Sequence, residues 1–366
     1  MINLYSTQIE SISLHRVGNK NKNEGVFLSE QPIRLNDETT GLLKEYFFKP
    51  FREKEENYYT FSDGSDDEPA RPTGGPAQRR GGFNELNEIA VHIFEHPDSI
   101  HEQSKKIATH LFEQSNHPHI KSGEVYVAYL TGILLDNVKT DAIGIFKSEL
   151  KQDFLQFEER GHNLDIVIQQ GININKLDKG CLIFNVNEKE GYKVLSVDSN
   201  RYDTKYWLES FLGVAPLTDE NFYTKNYLKF CQNFAKDVVL PAEDKQQEVL
   251  FMNRAVNHFA KNDAFEESNF LNEVMENPEL IPEFKHYKVE KGPKYSVEDV
   301  SNFNIANKAV SDARKKIKNV INLDTNIQIK MDFINPESAQ KFVEKGWDEE
   351  RQMYYYLVYF NKEEKS

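Results

Sequence analysis

A short segment in the middle of the chain contains the carboxylates and the lysine that a metal-dependent nuclease needs. Asp141, Glu149 and Lys151 fit the loose D…E-x-K pattern of such enzymes. Two carboxylates could hold Mg²⁺ while the lysine stabilises charge on a phosphate. An acid and a lysine two residues apart also share one face of any strand that reaches solvent, so this spacing recurs by chance. We therefore expect Lys147, Glu149 and Lys151 to mark a solvent-exposed strand end, and a nuclease stays as an alternative.

A second group of residues could bind zinc. His92, Glu95 and His96 form an H-x-x-E-H string, which resembles the inverted zinc-protease motif. Two histidines at this spacing on a helix could hold the metal, with the glutamate as base. Pro97 ends the helix immediately, however, and no convincing third ligand follows. We favour a solvated helix end here, with no metal or other cofactor.

The third group is basic and lies near the C-terminus. Residues 285–330 hold ten Lys or Arg and five acids, in a chain whose net charge is −14. Such a local positive surplus is what a polyanion site requires, because phosphate contacts need long cationic side chains on one surface. The alternative is that cations at a helix C-terminus only complement the helix dipole. The candidate DNA-contacting residues are Arg314, Lys315, Lys316 and Lys318, with Arg16 and Lys20 as weaker candidates.

The fourth group is aromatic and lies close to the chain end. Stacking of these rings on single-stranded bases is conceivable. Alternation along a strand would distribute them over both faces, so ordinary packing in a core or edge strand is the interpretation we favour. The residues are Tyr354, Tyr355, Tyr356, Tyr359 and Phe360.

Composition limits the class of protein. A chain of 366 residues with 39% apolar residues can bury a substantial core. No apolar run approaches the roughly 18 residues of a membrane helix, and the N-terminus does not resemble a signal peptide, so we expect a cytoplasmic protein. Two cysteines, Cys181 and Cys231, make a disulfide framework unlikely to be the basis of the fold. The net charge of −14 disfavours nucleic-acid binding unless the cations are locally concentrated.

The elements that must position these groups predict an α+β protein. We expect an antiparallel β-rich domain over 1–203, because apolar strand-like segments there are joined by short connections. Residues 63–82, rich in Gly, Pro and charge, predict a flexible inserted loop. A mainly helical domain should occupy 204–366, including an amphipathic helix over 299–318.

A small strand–helix–strand unit should close the chain. Alternation at Ile327–Phe333 predicts its first strand, and Asn335 with Pro336 predicts the start of a short helix that Gly346 ends. The last strand should cover 353–360.

Several blocks along the chain together resemble the bacterial nucleoid-associated protein family (NdpA/YejK-like). They are 15–20, Leu28-Ser29, 125–130, 141–149, 180–184, 197–199, Tyr206-Trp207, 211–213 and 346–348 with the strand that follows. None of these blocks is a catalytic signature. The resemblance implies a nucleoid-located, cytoplasmic protein that binds double-stranded DNA without known catalysis.

Together, the basic segment and the resemblance predict a non-enzymatic DNA-binding protein that contacts duplex DNA through a basic helix face. Two alternatives stay open. One is an adaptor that reaches the nucleoid through a partner such as another nucleoid protein, which the acidic net charge favours. The other is the metal-dependent nuclease. The sequence does not indicate an oligomeric state.

Overall fold

The computed structural model describes residues 2–53, 58–62, 84–199, 205–331 and 342–362. The predicted loop 63–82 and the helix predicted to begin at Asn335 lie outside these residues. The chain divides into two compact units, residues 1–217 and 218–366, whereas the sequence places a boundary at 203. Both units combine helices and strands, so the predicted α+β class is confirmed.

The first unit is built on a nine-stranded antiparallel sheet. Its strands run in the order β11-β4-β10-β9-β6-β5-β2-β3, with β1 beside β5, while β7 and β8 form a separate hairpin. The strands are β1 (Ile2–Asn3), β2 (Gln8–Val17), β3 (Val26–Phe27), β4 (Tyr58–Phe61), β5 (Gly123–Leu135), β6 (Val138–Ser148), β7 (Lys151–Arg160), β8 (Asn163–Ile172), β9 (Lys179–Phe184), β10 (Lys193–Asp198) and β11 (Val214–Pro216). The two edge strands are short, and β11 ends in Pro216.

Helices cover both faces of this sheet. Along β5, Val125 and Val127 pack in one core, and Tyr126 and Ala128 pack in another on the opposite face, because successive side chains alternate. This explains why β5 and β6 read as continuous apolar runs rather than as alternating ones. The covering helices are α1 (Asp37–Glu53) on the second face, and α2 (Glu85–Glu95), α3 (Ile100–Gln114) and a π-helix (Tyr206–Leu212) on the first.

The second unit is mainly helical. Its largest core is aromatic, and Tyr227, Phe230 and Phe234 on α4 meet Phe259 and Phe284 from α6 and α8. A smaller core joins α6 to the C-terminal strands. The elements are α4 (Glu220–Phe234), a π-helix (Ala235–Val239), α5 (Leu240–Ala242), α6 (Lys245–Lys261), β12 (Ala264–Glu266), α7 (Glu267–Val274), α8 (Leu280–Lys291), β13 (Asn302–Asn304), α9 (Asn307–Lys316), β14 (Val320–Asn322), β15 (Gln328–Lys330), β16 (Val343–Asp348) and β17 (Met353–Val358).

Two sequence predictions in this unit are wrong. The helix expected over 299–318 begins only at Asn307, because Phe303 lies in β13, which pairs with β12 and places its ring 4.8 Å from that of Phe265. Gly346 does not end a helix but lies inside β16, opposite Tyr355. In both places a cross-strand partner distant in sequence determines the local conformation.

Candidate nucleic-acid interface

The basic residues at the end of α9 are held outward by the packing of the helix. Ala309 and Val310 are buried, and Ala313 and Ile317 pack against the aromatic core of the second unit. Positions three and four apart share one face of a helix, so the remaining positions of the last turn point to solvent. Four exposed cations result: Arg314, Lys315, Lys316 and Lys318.

One of these cations is anchored. The guanidinium of Arg314 donates a hydrogen bond to Oδ1 of Asn257 on α6 at 3.0 Å, and Asn257 itself is 8% exposed. Lys315 lies 3.9 Å from the Asp312 carboxylate, but its side chain is 76% exposed, so this pair contributes little to stability. The anchor fixes the direction of one charge and leaves the lysines extended into water.

The charge density of this segment suits a nucleic-acid backbone. Four cations within five residues span roughly one helical turn, about 5–6 Å. Over that distance duplex DNA carries about three negative charges along its axis. The C-terminal carbonyls of α9 add their own negative end, which stabilises the cations without neutralising them. Lys330 is also exposed and lies opposite Val320 in the β14–β15 pair, two residues from Lys318, so it extends the same surface.

Not every cation of the basic segment belongs to this surface. Lys288 is 7% exposed and its Nζ lies 2.8 Å from Glu267 Oε1, so it stabilises the interior of the second unit. Lys291 pairs with Glu290. The positive surplus counted over 285–330 is therefore an upper bound for what a ligand would meet, and the helix end holds its largest cluster.

Arg16 and Lys20 lie in the first unit. Arg16 is exposed, and its Nε lies 3.3 Å from Glu124 Oε1, an oxygen that Lys151 Nζ also approaches to 3.0 Å. Lys20 is exposed at the start of a short 3-10 turn that includes Lys22. Asn19 holds this turn by donating to the carbonyls of His117 and Ile120.

The candidate nuclease residues do not form a site. Asp141 and Glu149 stand at opposite ends of β6, eight residues apart, which corresponds to about 26 Å along a strand. The Asp141 carboxylate accepts a hydrogen bond from Tyr129, whose pKa rises to about 12 because of burial and the neighbouring carboxylate. The Lys151 ammonium faces Glu124 instead of Glu149. One magnesium ion could not contact both Asp141 and Glu149.

The expected solvent-exposed strand end is also wrong for two of its residues. The Lys147 and Glu149 side chains are 0% and 1% exposed, with Nζ 2.9 Å from Oε1. Lys147 also donates to the carbonyl of Lys121 at 2.7 Å. Burial lowers the pKa of Lys147, and the Glu149 charge partly opposes this shift. Lys151, in contrast, is exposed as expected.

A second buried pair lies beside the first. Lys179 is the cross-strand partner of Lys147, and its Nζ lies 3.0 Å from Asp198 Oδ2. Asp178 accepts the backbone N–H groups of Glu149 and Leu150 at 2.7 and 3.1 Å. The sequence indicates none of this, although the spacing of Lys147 and Lys179 on paired apolar strands is the one signal that could have suggested it.

The H-x-x-E-H string lies at the end of α2. Asn84 caps the start of this helix by accepting from the Leu86 N–H at 2.8 Å, and the helix ends at Glu95, as Pro97 predicts. His92 and His96 are exposed, with ring centroids 5.2 Å apart. Within the described ranges no three acidic, histidine or cysteine side chains gather in a way that could hold a metal ion.

The C-terminal aromatic residues are more exposed than packing in a core would allow. Tyr354 is 71% and Phe360 68% exposed, and Tyr355 and Tyr359 are also exposed. Only Tyr356 packs, against the smaller core of the second unit. They lie on the β16–β17 hairpin, where Trp347 and Tyr354 meet edge to face at 4.7 Å.

The structure thus defines a class: a two-unit α+β protein with a cationic helix end and, within its described parts, no assembled metal-binding cluster. The family described as nucleoid-associated protein YejK matches residues 13–354, and the chain belongs to this family. This match supports a nucleoid-associated role and confirms the resemblance found in the sequence. None of the curated proteins compared with the chain matches it. Among the described helices, none has the length and apolar character that crossing a membrane requires.

Proposed function

We propose that the chain associates with double-stranded DNA, without catalysis, through the cations at the end of α9. The observation that carries this proposal is the cluster of Arg314, Lys315, Lys316 and Lys318 on one exposed turn, in a protein of otherwise acidic balance. Family membership supports the nucleoid as its location. The contacts are to phosphate, so binding carries little sequence preference.

Salt dependence is the expected signature of this binding. Each neutralised phosphate releases counterions, so the logarithm of the association constant falls linearly with the logarithm of salt concentration. Changing all four residues to Gln should weaken duplex binding strongly and reduce the magnitude of this slope by about 3. A fluorescence-anisotropy titration of a duplex at several salt concentrations measures both quantities.

A matched control separates local contact from bulk charge. Lys106, Lys139, Lys176 and Lys189 are exposed and dispersed over the first unit, and changing them to Gln alters the net charge by the same amount. This control should retain most of the slope. Equal losses in both variants would sink the assignment to α9 and leave only long-range electrostatics.

The same titration distinguishes the two other functional classes. An adaptor would show no duplex binding at low salt and would recover it only when nucleoid proteins are added. A nuclease would cleave the duplex when Mg²⁺ is present and lose this activity on Glu149→Gln. The proposal requires binding by the purified chain and an intact duplex with and without Mg²⁺.

A further inference from the structure

The hairpin of β7 and β8 is the least protected apolar surface in the described parts of the chain. Its strands pair with each other from Lys151–Ile172 to Arg160–Asn163 and with no other described strand. The register places Leu155 opposite Ile168 and Phe157 opposite Ile166, so these side chains share one face with Leu164. All five are 59–70% exposed.

The opposite face of the hairpin is polar. Arg160 lies 3.4 Å from Glu158 and 3.5 Å from Asp165, and Gln156 and Gln169 are exposed on the same side. Phe154, the one large aromatic residue on this face, lies against Gly171 near the base. The hairpin is therefore amphipathic, as half-buried strands are, yet no described element covers its apolar face.

An uncovered hairpin of this kind is at a thermodynamic disadvantage. A two-stranded sheet alone is marginally stable in water, and large exposed apolar side chains raise its free energy further. Contiguous apolar patches of this type mark interaction surfaces in soluble proteins. We propose that the apolar face of the β7–β8 hairpin, formed by Leu155, Phe157, Leu164, Ile166 and Ile168, packs against the same face of a second copy of this chain.

Charge excludes a polyanion as the occupant. Residues 151–172 contain four acids and two cations, so DNA or an anionic lipid surface would be repelled. The only charged residues on the apolar face itself, Asp153 and Glu159, stand at its two ends. The centre is uncharged and would leave the charges of an ionic partner unpaired.

Shape and area favour a second copy. Two flat, amphipathic sheets pack face to face at about 10 Å with aligned strands, and a surface built this way complements itself about a two-fold axis. Five large apolar side chains from each copy would remove on the order of 1,000 Å² from water, near the lower limit for a specific interface. The inference does not depend on DNA binding.

The test is the mass of the full chain in solution, measured by sedimentation equilibrium across the micromolar range. The wild-type chain should be dimeric at the upper end of this range. Ile166→Glu should raise the dimer dissociation constant by tenfold or more, because a charge at the centre of the face would be buried without a partner. Gln169→Glu adds the same charge to the polar face and should leave the dimer intact.

Cross-linking gives a second readout that does not rely on weakening the dimer. The two native cysteines, Cys181 and Cys231, are buried, so an added surface thiol is the one expected to react. A bismaleimide with a reach of about 10 Å should link Ile166→Cys chains into dimers and leave Gln169→Cys chains largely unlinked.

Three results would overturn the proposal. The first is a wild-type chain that stays monomeric throughout. The second is a dimer that Ile166→Glu leaves unchanged, which would place the interface elsewhere. The third is a monomer that co-sediments with neutral phosphatidylcholine vesicles through these residues, which would make the face a lipid-binding surface.

Discussion

At the scale of single residues, the clearest lesson concerns the buried lysines. Lys147 and Glu149 look like a solvated strand end in the sequence, yet both are enclosed where β6 meets β9. Neither spacing nor residue type reveals this, since burial depends on α1 and on the chain around Asp178, which cover the strand end from distant positions. A buried lysine–carboxylate pair adds little net stability over an apolar pair but makes each partner depend on the other.

Removing one member of this pair should be costly. Lys147→Met leaves the Glu149 carboxylate buried beside apolar atoms, so the free energy of unfolding should fall by about 3–5 kcal/mol. Urea denaturation followed by fluorescence of the buried Trp207 measures this change in the first unit. Lys151→Met, at an exposed ion pair, should cost less than about 1 kcal/mol. Equal effects of the two substitutions would show that Lys147 is not enclosed.

A buried histidine should make stability depend on pH. His15 is 1% exposed, its Nδ1 accepts from the Ser29 N–H, and its Nε2 lies 2.8 Å from Ser104 Oγ. Burial lowers the pKa of His15 to about 4, and the nearby His101 and Lys105 charges act in the same direction. The unfolded chain therefore binds more protons between pH 6.5 and 4, so stability present above pH 6.5 is lost as the pH falls towards 4.

The size of this effect follows from the shift. His15 alone should account for about 2 kcal/mol of the loss between pH 7 and 4.5. Urea unfolding at these two pH values, for the wild type and for His15→Gln, isolates its share from that of the carboxylates. An identical pH dependence in both proteins would contradict the low pKa.

At the scale of elements, the sequence predicts most of the architecture and fails where distant partners decide. Helical spacing finds α2 and the break at Pro97, and apolar runs find β5 and β6, because these patterns are local. The 299–318 helix begins late because Phe303 pairs across β12 and stacks in the aromatic core. Periodicity cannot anticipate such a contact. For the proposed site, the sequence identifies the cationic turn but not the Asn257 anchor, which comes from α6.

The position of α9 should depend on its buried face. Val310 is 4% exposed in the core of the second unit, and truncation to Ala should leave a cavity that costs about 1–3 kcal/mol. Ser311, exposed on the same helix, can be changed to Ala as a control with an effect within about 0.5 kcal/mol. Chemical denaturation followed by far-ultraviolet circular dichroism measures both. No difference between the two would mean that α9 is not docked.

At the scale of the whole molecule, two features stand out: separate cores and uneven charge. Each unit has its own apolar cores, and neither large cluster contains residues of the other unit. The net charge of −14 acts over the entire chain, while the α9 cations act locally. Duplex binding should therefore weaken with salt because contact is lost, even though salt also screens the repulsion from the acidic remainder.

Separate cores predict two unfolding transitions. In differential scanning calorimetry, Lys147→Met should lower the Tm of one transition and Val310→Ala that of the other, since each substitution affects one core. The double variant should show both shifts added together. A single transition that moves as a whole with either substitution would contradict independent cooperative units.

The short outer strands of the large sheet have a consequence for crowding. β3 offers two residues and β11 three, the last of them a proline without an N–H, so a strand from a neighbouring molecule finds almost no free ladder to extend. The ten-residue strands of the β7–β8 hairpin lack this protection. Among the described strands, the hairpin is therefore where amyloid-like growth should begin if the protein is concentrated or partly unfolded.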